Sequence, residues 1–214
     1  ILKKINQALE NRNATGKKMN FDTVPDSFFV PDSNSLDKQF IQNIEKVDGN
    51  AFICADKSEF SEKLKSLCND LDSLPLLCSN EKICRFLREE NIPFVNETEI
   101  EKAQAGISSC EFLVAQTGSV LVSSQQTPGR KIPAYSPVHI VVAYKWQLKA
   151  SLTEALKALN EKYERKPSAI TIITGPSRTA DIEKTLILGA HGPKKLCVFI
   201  LDENSIFTEK KSNN

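Results

Sequence analysis

Hydrophobic positions along the chain fall into two patterns, helical spacing and short continuous apolar runs. Apolar residues that recur every three or four positions predict amphipathic helices. These helices are expected at Ile1–Arg12, Ser35–Asp48, Ser58–Leu71, Glu81–Glu90 and Ser151–Tyr163. Short apolar runs predict strands at Ala51–Ala55, Leu74–Cys78, Ile92–Val95, Val138–Ala143, Ala169–Thr174 and Leu196–Leu201. Strands that alternate with helices are typical of an α/β fold with a mostly parallel sheet.

The pattern changes in the middle of the chain. Two β-prone runs, Glu111–Ala115 and Ser119–Ser123, are separated only by Gln116-Thr117-Gly118. So short a connection between extended runs predicts a β-hairpin. The following segment, Gln125–Pro137, is polar and rich in proline, which indicates a loop.

The segment Ala169–Asp202 combines an apolar run, a turn signal and helical spacing. Its first run breaks at Gly175-Pro176, and apolar residues then recur at Ile182 and Leu186. Glycines near position 190 are helix stop signals, and a second apolar run follows. The sequence therefore predicts one β-α-β unit, with two parallel strands and a right-handed crossover.

The turn of this predicted unit is the first candidate site. A helix start leaves backbone N–H groups unpaired and carries partial positive charge, so it favours an anion. Gly175 permits close approach, Pro176 sets the turn, Ser177 or Thr179 can cap the helix, and Arg178 suits a carboxylate or phosphate. We expect a small anion here. The alternative is an ordinary helix cap with a surface arginine.

The tip of the predicted hairpin is a second candidate for lining the anion site at Gly175–Thr179. Thr117, Gly118 and Ser119 combine a glycine with two hydroxyl groups, so the tip can present backbone N–H groups to a ligand. The alternative interpretation is an ordinary turn.

Five polar residues are secondary candidates: Gln116, Glu111, His139, His191 and Asp181. Glu111 opens an apolar run, where a solvated strand-end acid is favoured over a partly buried carboxylate. His139 opens an apolar strand and His191 lies in a turn, so core and turn roles compete with ligand binding. Asp181 fits a first-turn acid stabilised by the helix dipole. The histidines lie on separate elements without an acidic pair, so no metal site is predicted.

Composition narrows the classes of function. Lys and Arg total 28 against 27 for Asp and Glu, a formal net charge of +1, and no long basic run is present. This balance argues against nucleic-acid binding. No apolar run approaches the roughly 18 to 20 residues that span a bilayer, and no signal-peptide core is found, so we expect a cytoplasmic protein without a membrane span.

The cysteines bear on disulfides and on metal centres. The six cysteines are irregularly spaced, mostly within apolar segments, and none forms a C-x-x-C motif. We therefore expect buried reduced thiols, and neither structural zinc nor an iron–sulfur cluster wholly within this chain.

Three stretches resemble the LUD domain of the lactate-utilization protein family, the LutC/YkgG type. They are AQTGSVLVSS (Ala115–Ser124), the proline-rich approach to VHIVVA (Val138–Ala143), and TGPSRTADIEKTLILGAHGP (Thr174–Pro193). The resemblance implies an α/β/α sandwich on a mostly parallel sheet, of the NagB/RpiA/CoA transferase-like superfamily, here with a hairpin insertion and an N-terminal helix. The domains expected are an N-terminal helix and ordered loop (1–34), a LUD-type α/β domain (35–202) and a polar tail (203–214).

The resemblance also implies a function, namely an accessory subunit of a bacterial system that oxidises L-lactate to pyruvate. It places iron–sulfur clusters in partner proteins and no cofactor in this chain. Two departures limit the comparison. Many members carry Glu where this chain has Gln116, which removes an acid/base or acyl-carrying carboxylate, and the cysteine-rich ferredoxin-like region of larger relatives is missing.

Two other functions remain open. The chain is alternatively a stand-alone enzyme or sensor for a phosphorylated or CoA-linked metabolite, as the wider superfamily suggests. It is otherwise a structural protein without a ligand, a homo-oligomer assembled through its first helix.

Overall fold

The computed structural model describes residues 35–72, 74–126, 136–180, 186–188 and 192–202. These residues belong to one compact unit, Pro31–Asn214. The predicted helix Ile1–Arg12, the loop after it and the tail 203–214 lie outside the described residues. No helix in the described ranges has the length and apolar character needed to cross a membrane.

The predicted helices between residues 35 and 163 are confirmed, with ends that shift by a few residues. They are α1 (Leu36–Glu45), α2 (Lys57–Asp70), α3 (Glu81–Glu89) and α4 (Leu152–Lys162). Side chains cap three of them, because Asp56, Asn80 and Ser151 accept hydrogen bonds from backbone N–H groups of the first turns of α2, α3 and α4.

A six-stranded parallel sheet forms the centre of the described unit and confirms the α/β prediction. Its strands are β1 (Asn50–Cys54), β2 (Leu76–Leu77), β3 (Phe94–Val95), β4 (Ala105–Ser109), β7 (Val138–Tyr144) and β12 (Lys195–Leu201). Their order across the sheet is β1-β12-β7-β4-β2-β3, and every pairing is parallel. Strand β4 was not predicted, because its small residues lack an apolar pattern.

A second, four-stranded sheet contains the predicted hairpin. Its strands are β5 (Phe112–Val114), β6 (Ser119–Ser123), β8 (Leu148–Lys149) and β9 (Ile170–Ile173), in the order β8-β5-β6-β9. β5 and β6 pair in antiparallel fashion, which confirms the hairpin.

Three apolar clusters show how the layers stack. On one face of the main sheet, α2 and α3 pack through Phe60, Phe86 and their neighbours. On the other face lie α1 and the inner side chains of the small sheet, among them Leu113 and Val120. Helix α4 covers the outer face of the small sheet, where it meets Phe112. The predicted α/β/α sandwich is therefore present, with the small sheet interleaved between the main sheet and α4.

The predicted β-α-β unit over Ala169–Asp202 is wrong. β9 is a strand, but it pairs antiparallel with β6 in the small sheet, whereas β12 lies in the main sheet. Where a helix was expected, β10 (Arg178–Ala180) pairs antiparallel with β11 (Leu186–Leu188). A short apolar run such as Leu186–Leu188 fits a strand as well as a helical turn, so its spacing alone does not decide between them.

Candidate functional site

The carboxyl ends of the main strands line one edge of the molecule, because all six strands run in the same direction. In open parallel sheets, ligands bind at this edge. β4 ends there at Ser109 and leads directly to Cys110 and Glu111, while β2 leads to Cys78 and Asn80. A connected set of polar side chains lies at these strand ends.

Glu111 is the centre of that set. It has no exposed surface, yet its carboxylate is well supplied with partners. Oε1 accepts from the Ser123 hydroxyl at 2.5 Å, Oε2 pairs with Lys162 Nζ at 2.7 Å, and the Tyr163 hydroxyl lies 3.0 and 3.3 Å from the two oxygens. A buried carboxylate requires such compensation. The expectation of a solvated strand-end acid is therefore wrong, because the end of α4 and the hairpin cover Glu111.

The backbone around Glu111 is fixed by neighbouring elements. Its N–H donates to Leu121 O at 2.8 Å, which ties it to β6. The Gln147 amide donates to the carbonyls of Cys110 and Glu111 at 2.6 and 3.0 Å. The carboxylate is thus held in place by both its backbone and its side-chain partners.

Burial and the charge of Glu111 together shift the pKa values of Lys162 and Tyr163. Burial lowers the pKa of Lys162, but the hydrogen bond and negative charge of Glu111 outweigh it, so the pKa is raised overall. Burial and the Glu111 charge both raise the pKa of Tyr163. At neutral pH, Lys162 is therefore charged and Tyr163 keeps its proton.

A second group of polar side chains continues from this centre. Ser109 Oγ accepts from Asn80 Nδ2 and Gln126 Nε2, each at 3.4 Å, and Gln126 Oε1 accepts from the backbone N–H of Ser123 at 3.3 Å. Asn80 is also the cap of α3. We call the whole set the edge cluster; it consists of Asn80, Ser109, Glu111, Ser123, Gln126, Lys162 and Tyr163.

Lys162 is the charged member of the edge cluster that solvent reaches. The Lys162 side chain is 39% exposed although its partner Glu111 is fully buried. An ammonium group has three N–H donors, so pairing with one carboxylate leaves donor capacity for a second anionic group. The neighbouring Tyr163 oxygen is also able to accept a hydrogen bond.

The structure brings the two predicted walls of the first candidate site together. Ser119 Oγ lies 2.6 Å from Thr117 Oγ1 and 2.7 Å from Thr174 Oγ1. A chain of three hydroxyl groups thus joins the hairpin tip to the end of β9, directly before Gly175.

The end of α1 and the turn after it occupy the space beside the two glycines. Gly118 and Gly175 have φ angles of +62° and +73°, and a Cβ atom there would collide with the backbone of Ile44 and Val47, respectively. Asn43 Nδ2 also donates to the carbonyls of Ala115 and Gln116, at 2.8 and 3.1 Å. The close approach that the sequence assigned to a ligand is therefore made by the protein's own backbone.

The remaining residues of the predicted anion turn also have partners within the protein. Arg178 forms an ion pair with Asp48, and the Ser177 N–H donates to Pro193 O at 2.8 Å. Pro176 is half-buried, and Thr179 lies in β10 opposite Ile187. Since Arg178–Ala180 is a strand, the prediction that a helix starts at this turn is wrong. Anion binding by these residues stays a prediction without that support.

His139 is fully buried in the core. Its Nε2 lies 2.8 Å from Ser108 Oγ, while its Nδ1 has no hydrogen-bond partner in the part of the chain that the structure describes. Burial lowers the pKa of His139 to about 4. The imidazole is therefore neutral at physiological pH. Asp181 and His191, two of the secondary candidates, lie outside the described residues.

Metal-ligating side chains do not gather in the described ranges. No group of three or more His, Cys, Asp or Glu residues is placed there so as to hold a metal ion.

Glu111 was predicted from the sequence as a candidate, whereas the residues that complete its surroundings were not. Lys162 and Tyr163 lie 51 and 52 positions further along the chain, and Ser123 lies 12 positions away. The only local signal was a lysine at the end of a predicted helix, which is common on protein surfaces. Pairing of β5 with β6 and packing of α4 bring these residues together.

Comparisons with known proteins identify the family of this chain. The LUD domain model matches residues 80–201, more than half of the chain, and this range contains the whole edge cluster. The lactate utilization protein C of Oceanobacillus iheyensis is 30% identical over 125 residues, covering 57% of this chain and 54% of that protein. Its namesake in Geobacillus thermodenitrificans is 34% identical over 106 residues, covering 48% and 44%. The chain spans about half the length of the curated relatives it matches.

A solved structure shows the same fold. A DUF162 family protein from Deinococcus radiodurans superposes with a TM-score of 0.59, at 15% sequence identity, covering 78% of this chain and 96% of that one. At this identity the likeness concerns the fold alone.

Proposed function

The chain belongs to the LUD domain family, and from this premise we propose that it is an accessory subunit in L-lactate utilization that binds a small carboxylate. Relatives named lactate utilization protein C, 30% and 34% identical over the aligned parts, support this role. Oxidation of lactate to pyruvate removes two electrons, so the role includes a redox partner. In keeping with the resemblance, we take that partner to be an iron–sulfur protein.

One observation carries the position of the ligand, namely the buried Glu111 carboxylate whose partner Lys162 is partly open to solvent. Lactate is a 2-hydroxycarboxylate. Its carboxylate matches the ammonium of Lys162, and its hydroxyl matches the hydroxyl of Tyr163, which lies beside it. The edge cluster therefore offers a charged donor and a polar group at the edge where parallel sheets bind ligands.

The turn Gly175–Thr179 is the second proposed position. Its Arg178 side chain is 42% exposed despite the ion pair with Asp48, so an anion in solution can compete for the guanidinium. An anion should bind less tightly here than at Lys162, because the Asp48 carboxylate of the chain itself competes for Arg178.

A thermal-shift panel of lactate, pyruvate, phosphate, sugar phosphates and CoA tests the proposal. A ligand at a hundredfold excess over its Kd stabilises the folded state by about 2.7 kcal/mol. We expect lactate or pyruvate to raise the melting temperature of the wild-type chain, and Lys162→Gln to lose this shift. Lys157→Gln, on the same helix, removes the same charge and should keep it.

The variants separate the two positions. If Arg178→Ala removes the shift and Lys162→Gln does not, the ligand lies at the Gly175–Thr179 turn. If both variants respond to lactate and pyruvate like the wild type, neither position binds them.

The alternative of a stand-alone enzyme or sensor is favoured by one feature, the buried Glu111 beside a charged lysine and a tyrosine. The Lys162 ammonium of this group is partly exposed, and it suits the phosphate of a phosphorylated or CoA-linked metabolite. Stabilisation by CoA or a sugar phosphate, with none by lactate or pyruvate, would support this alternative. A structural protein would respond to no member of the panel.

The partner is tested separately by co-expression with the proteins encoded beside this chain. We expect it to co-elute in size-exclusion chromatography with a brown protein whose visible absorption is that of an iron–sulfur cluster. Elution of the chain apart from every cluster-bearing protein would contradict the accessory role.

A further inference from the structure

Two thiols lie in contact beside the edge cluster. Cys78 follows β2 directly, and Cys84 lies in α3, six positions further along the chain. Their Sγ atoms are 3.2 Å apart, closer than two unbonded sulfur atoms normally lie. Cys78 is 1% exposed, whereas Cys84 is only half-buried, so one member of the pair can be reached from solvent.

We propose that Cys78 and Cys84 form a redox modification site that closes reversibly to an intrachain disulfide when a small-molecule disulfide is present. The S–S bond of a disulfide is about 2.05 Å long. The two sulfur atoms therefore need to approach by only about 1 Å, which side-chain rotation at the more exposed Cys84 can provide.

The reaction proceeds by two thiol–disulfide exchanges. The Cys84 thiolate attacks one sulfur of the oxidant RSSR, which releases RS⁻ and leaves a mixed disulfide on Cys84. The Cys78 thiolate then attacks Cys84 Sγ and displaces the second RS⁻. The protons of the two cysteines end on two molecules of RSH, and two electrons pass from the pair to the oxidant.

The surroundings of Cys78 make the second exchange the slower one. Burial raises the pKa of the Cys78 thiol, and its contact with Cys84 raises it further. Only a small fraction of Cys78 is therefore thiolate at neutral pH. The closure rate should rise with pH, while the mixed disulfide on Cys84 accumulates first.

Formation of the disulfide would affect the edge cluster through Asn80, which contacts both Cys78 and Ser109. Cys78 Sγ lies 3.7 Å from Asn80 O, and the Asn80 side chain both caps α3 and donates to Ser109. Oxidation would thus change the end of α3 next to the proposed ligand site. This consequence rests on the proposed function, whereas disulfide formation does not.

Mass spectrometry tests the pair directly. The reduced full chain is incubated with glutathione disulfide, its remaining thiols are alkylated, and trypsin then cleaves after Lys65, Lys82 and Arg85. We expect peptides 66–82 and 83–85 to be joined, with the mass of two hydrogen atoms lost, and to separate after dithiothreitol treatment. Fragment ions distinguish Cys78 from Cys68, which lies on the same peptide.

Two variants sharpen the test. Cys84→Ser should abolish the joined peptides, and because Cys84 is half-buried this variant should fold; its melting curve checks that it does. Cys68→Ala should keep them. The proposal is overturned if both thiols are alkylated after oxidation, if glutathione stays on Cys84 without closure, or if the bond uses Cys68.

Discussion

At the scale of single residues, the ion pair of Glu111 and Lys162 is asymmetric. Glu111 is fully buried, whereas the Lys162 side chain is 39% exposed. Loss of the lysine leaves a buried carboxylate without its counter-charge, but loss of the carboxylate leaves an ammonium that water can solvate. The two halves of the pair therefore contribute unequally to stability.

We expect Lys162→Gln to lower the free energy of unfolding by about 3 kcal/mol, and Glu111→Gln to lower it by about 1 kcal/mol, the net contribution of a typical hydrogen bond. The first change leaves only Ser123 and Tyr163 to compensate the buried charge. Urea unfolding at pH 7 measures both values, and the double variant gives the coupling energy. Equal losses in the two single variants would contradict the asymmetry.

His139 gives the protein an acid-sensitive core. Its pKa is about 4 in the folded state and near 6.5 in an unfolded chain, so the unfolded state binds the extra proton between these values. The stabilisation is complete above pH 6.5 and is lost as the pH falls towards 4. The total corresponds to roughly 3 kcal/mol at most.

We expect the wild type to lose about 2 kcal/mol more stability than His139→Gln between pH 7 and pH 5. Glutamine preserves a partner for Ser108 but does not titrate. Comparison of the pH slopes, rather than of absolute stabilities, removes any packing cost of the substitution. Parallel slopes would show that His139 does not titrate in this range.

At the scale of elements, the start of α3 serves two purposes. The Asn80 Oδ1 atom accepts from the backbone N–H groups of Lys82 and Ile83, and the same side chain donates to Ser109. One residue thus caps the helix and links it to the edge cluster.

Two substitutions separate these purposes. We expect Asn80→Ala to destabilise the fold by about 1 kcal/mol through loss of the cap. Asn80→Asp keeps the capping oxygen but lacks the donor to Ser109, so stability should be largely retained while any ligand shift at the edge cluster changes. Thermal unfolding with and without lactate measures both effects. An aspartate variant as unstable as the alanine variant would argue against the cap.

The elements that were predicted correctly are those whose secondary structure follows from the spacing of their own apolar residues or from their own turn residues. The helices Leu36–Glu45 and Leu152–Lys162 each have apolar residues on one side, and the hairpin has a short glycine-containing turn. Leu186–Leu188 failed this test, since a three-residue apolar run fits a helical turn as well as a strand, and here it pairs with Arg178–Ala180. A local pattern describes one element and does not identify which element it pairs with.

At the scale of the whole molecule, the hairpin is an internal layer. Leu113 and Val120 face the main sheet, while Phe112 and Leu121 face α4. Sequence predicted the hairpin as an insertion, because a continuous apolar run does not reveal which elements cover its two faces. Burial of both faces explains why Glu111, at the start of β5, has no exposed surface.

The candidate site illustrates the same limit. Glu111 was recognisable as a carboxylate at the start of an apolar run, but Lys162 lies 51 positions away and its helix had to be placed first. The predicted turn at Gly175 was recognisable too, yet its glycine serves contact with Val47. The local sequence identified Glu111 and Gly175 as candidates, but it did not identify the residues that contact them.

The last strand of the main sheet, β12, lies between β1 and β7, although nearly the whole described chain separates it from β1. During synthesis, β1 therefore emerges from the ribosome long before the neighbour that completes its hydrogen bonds. Until Lys195–Leu201 has been translated, the backbone N–H and C=O groups of β1 and β7 that pair with it have no partner strand. The nascent polypeptide must stay unaggregated through that interval, so we expect its demand on chaperones to fall once this segment has left the ribosome.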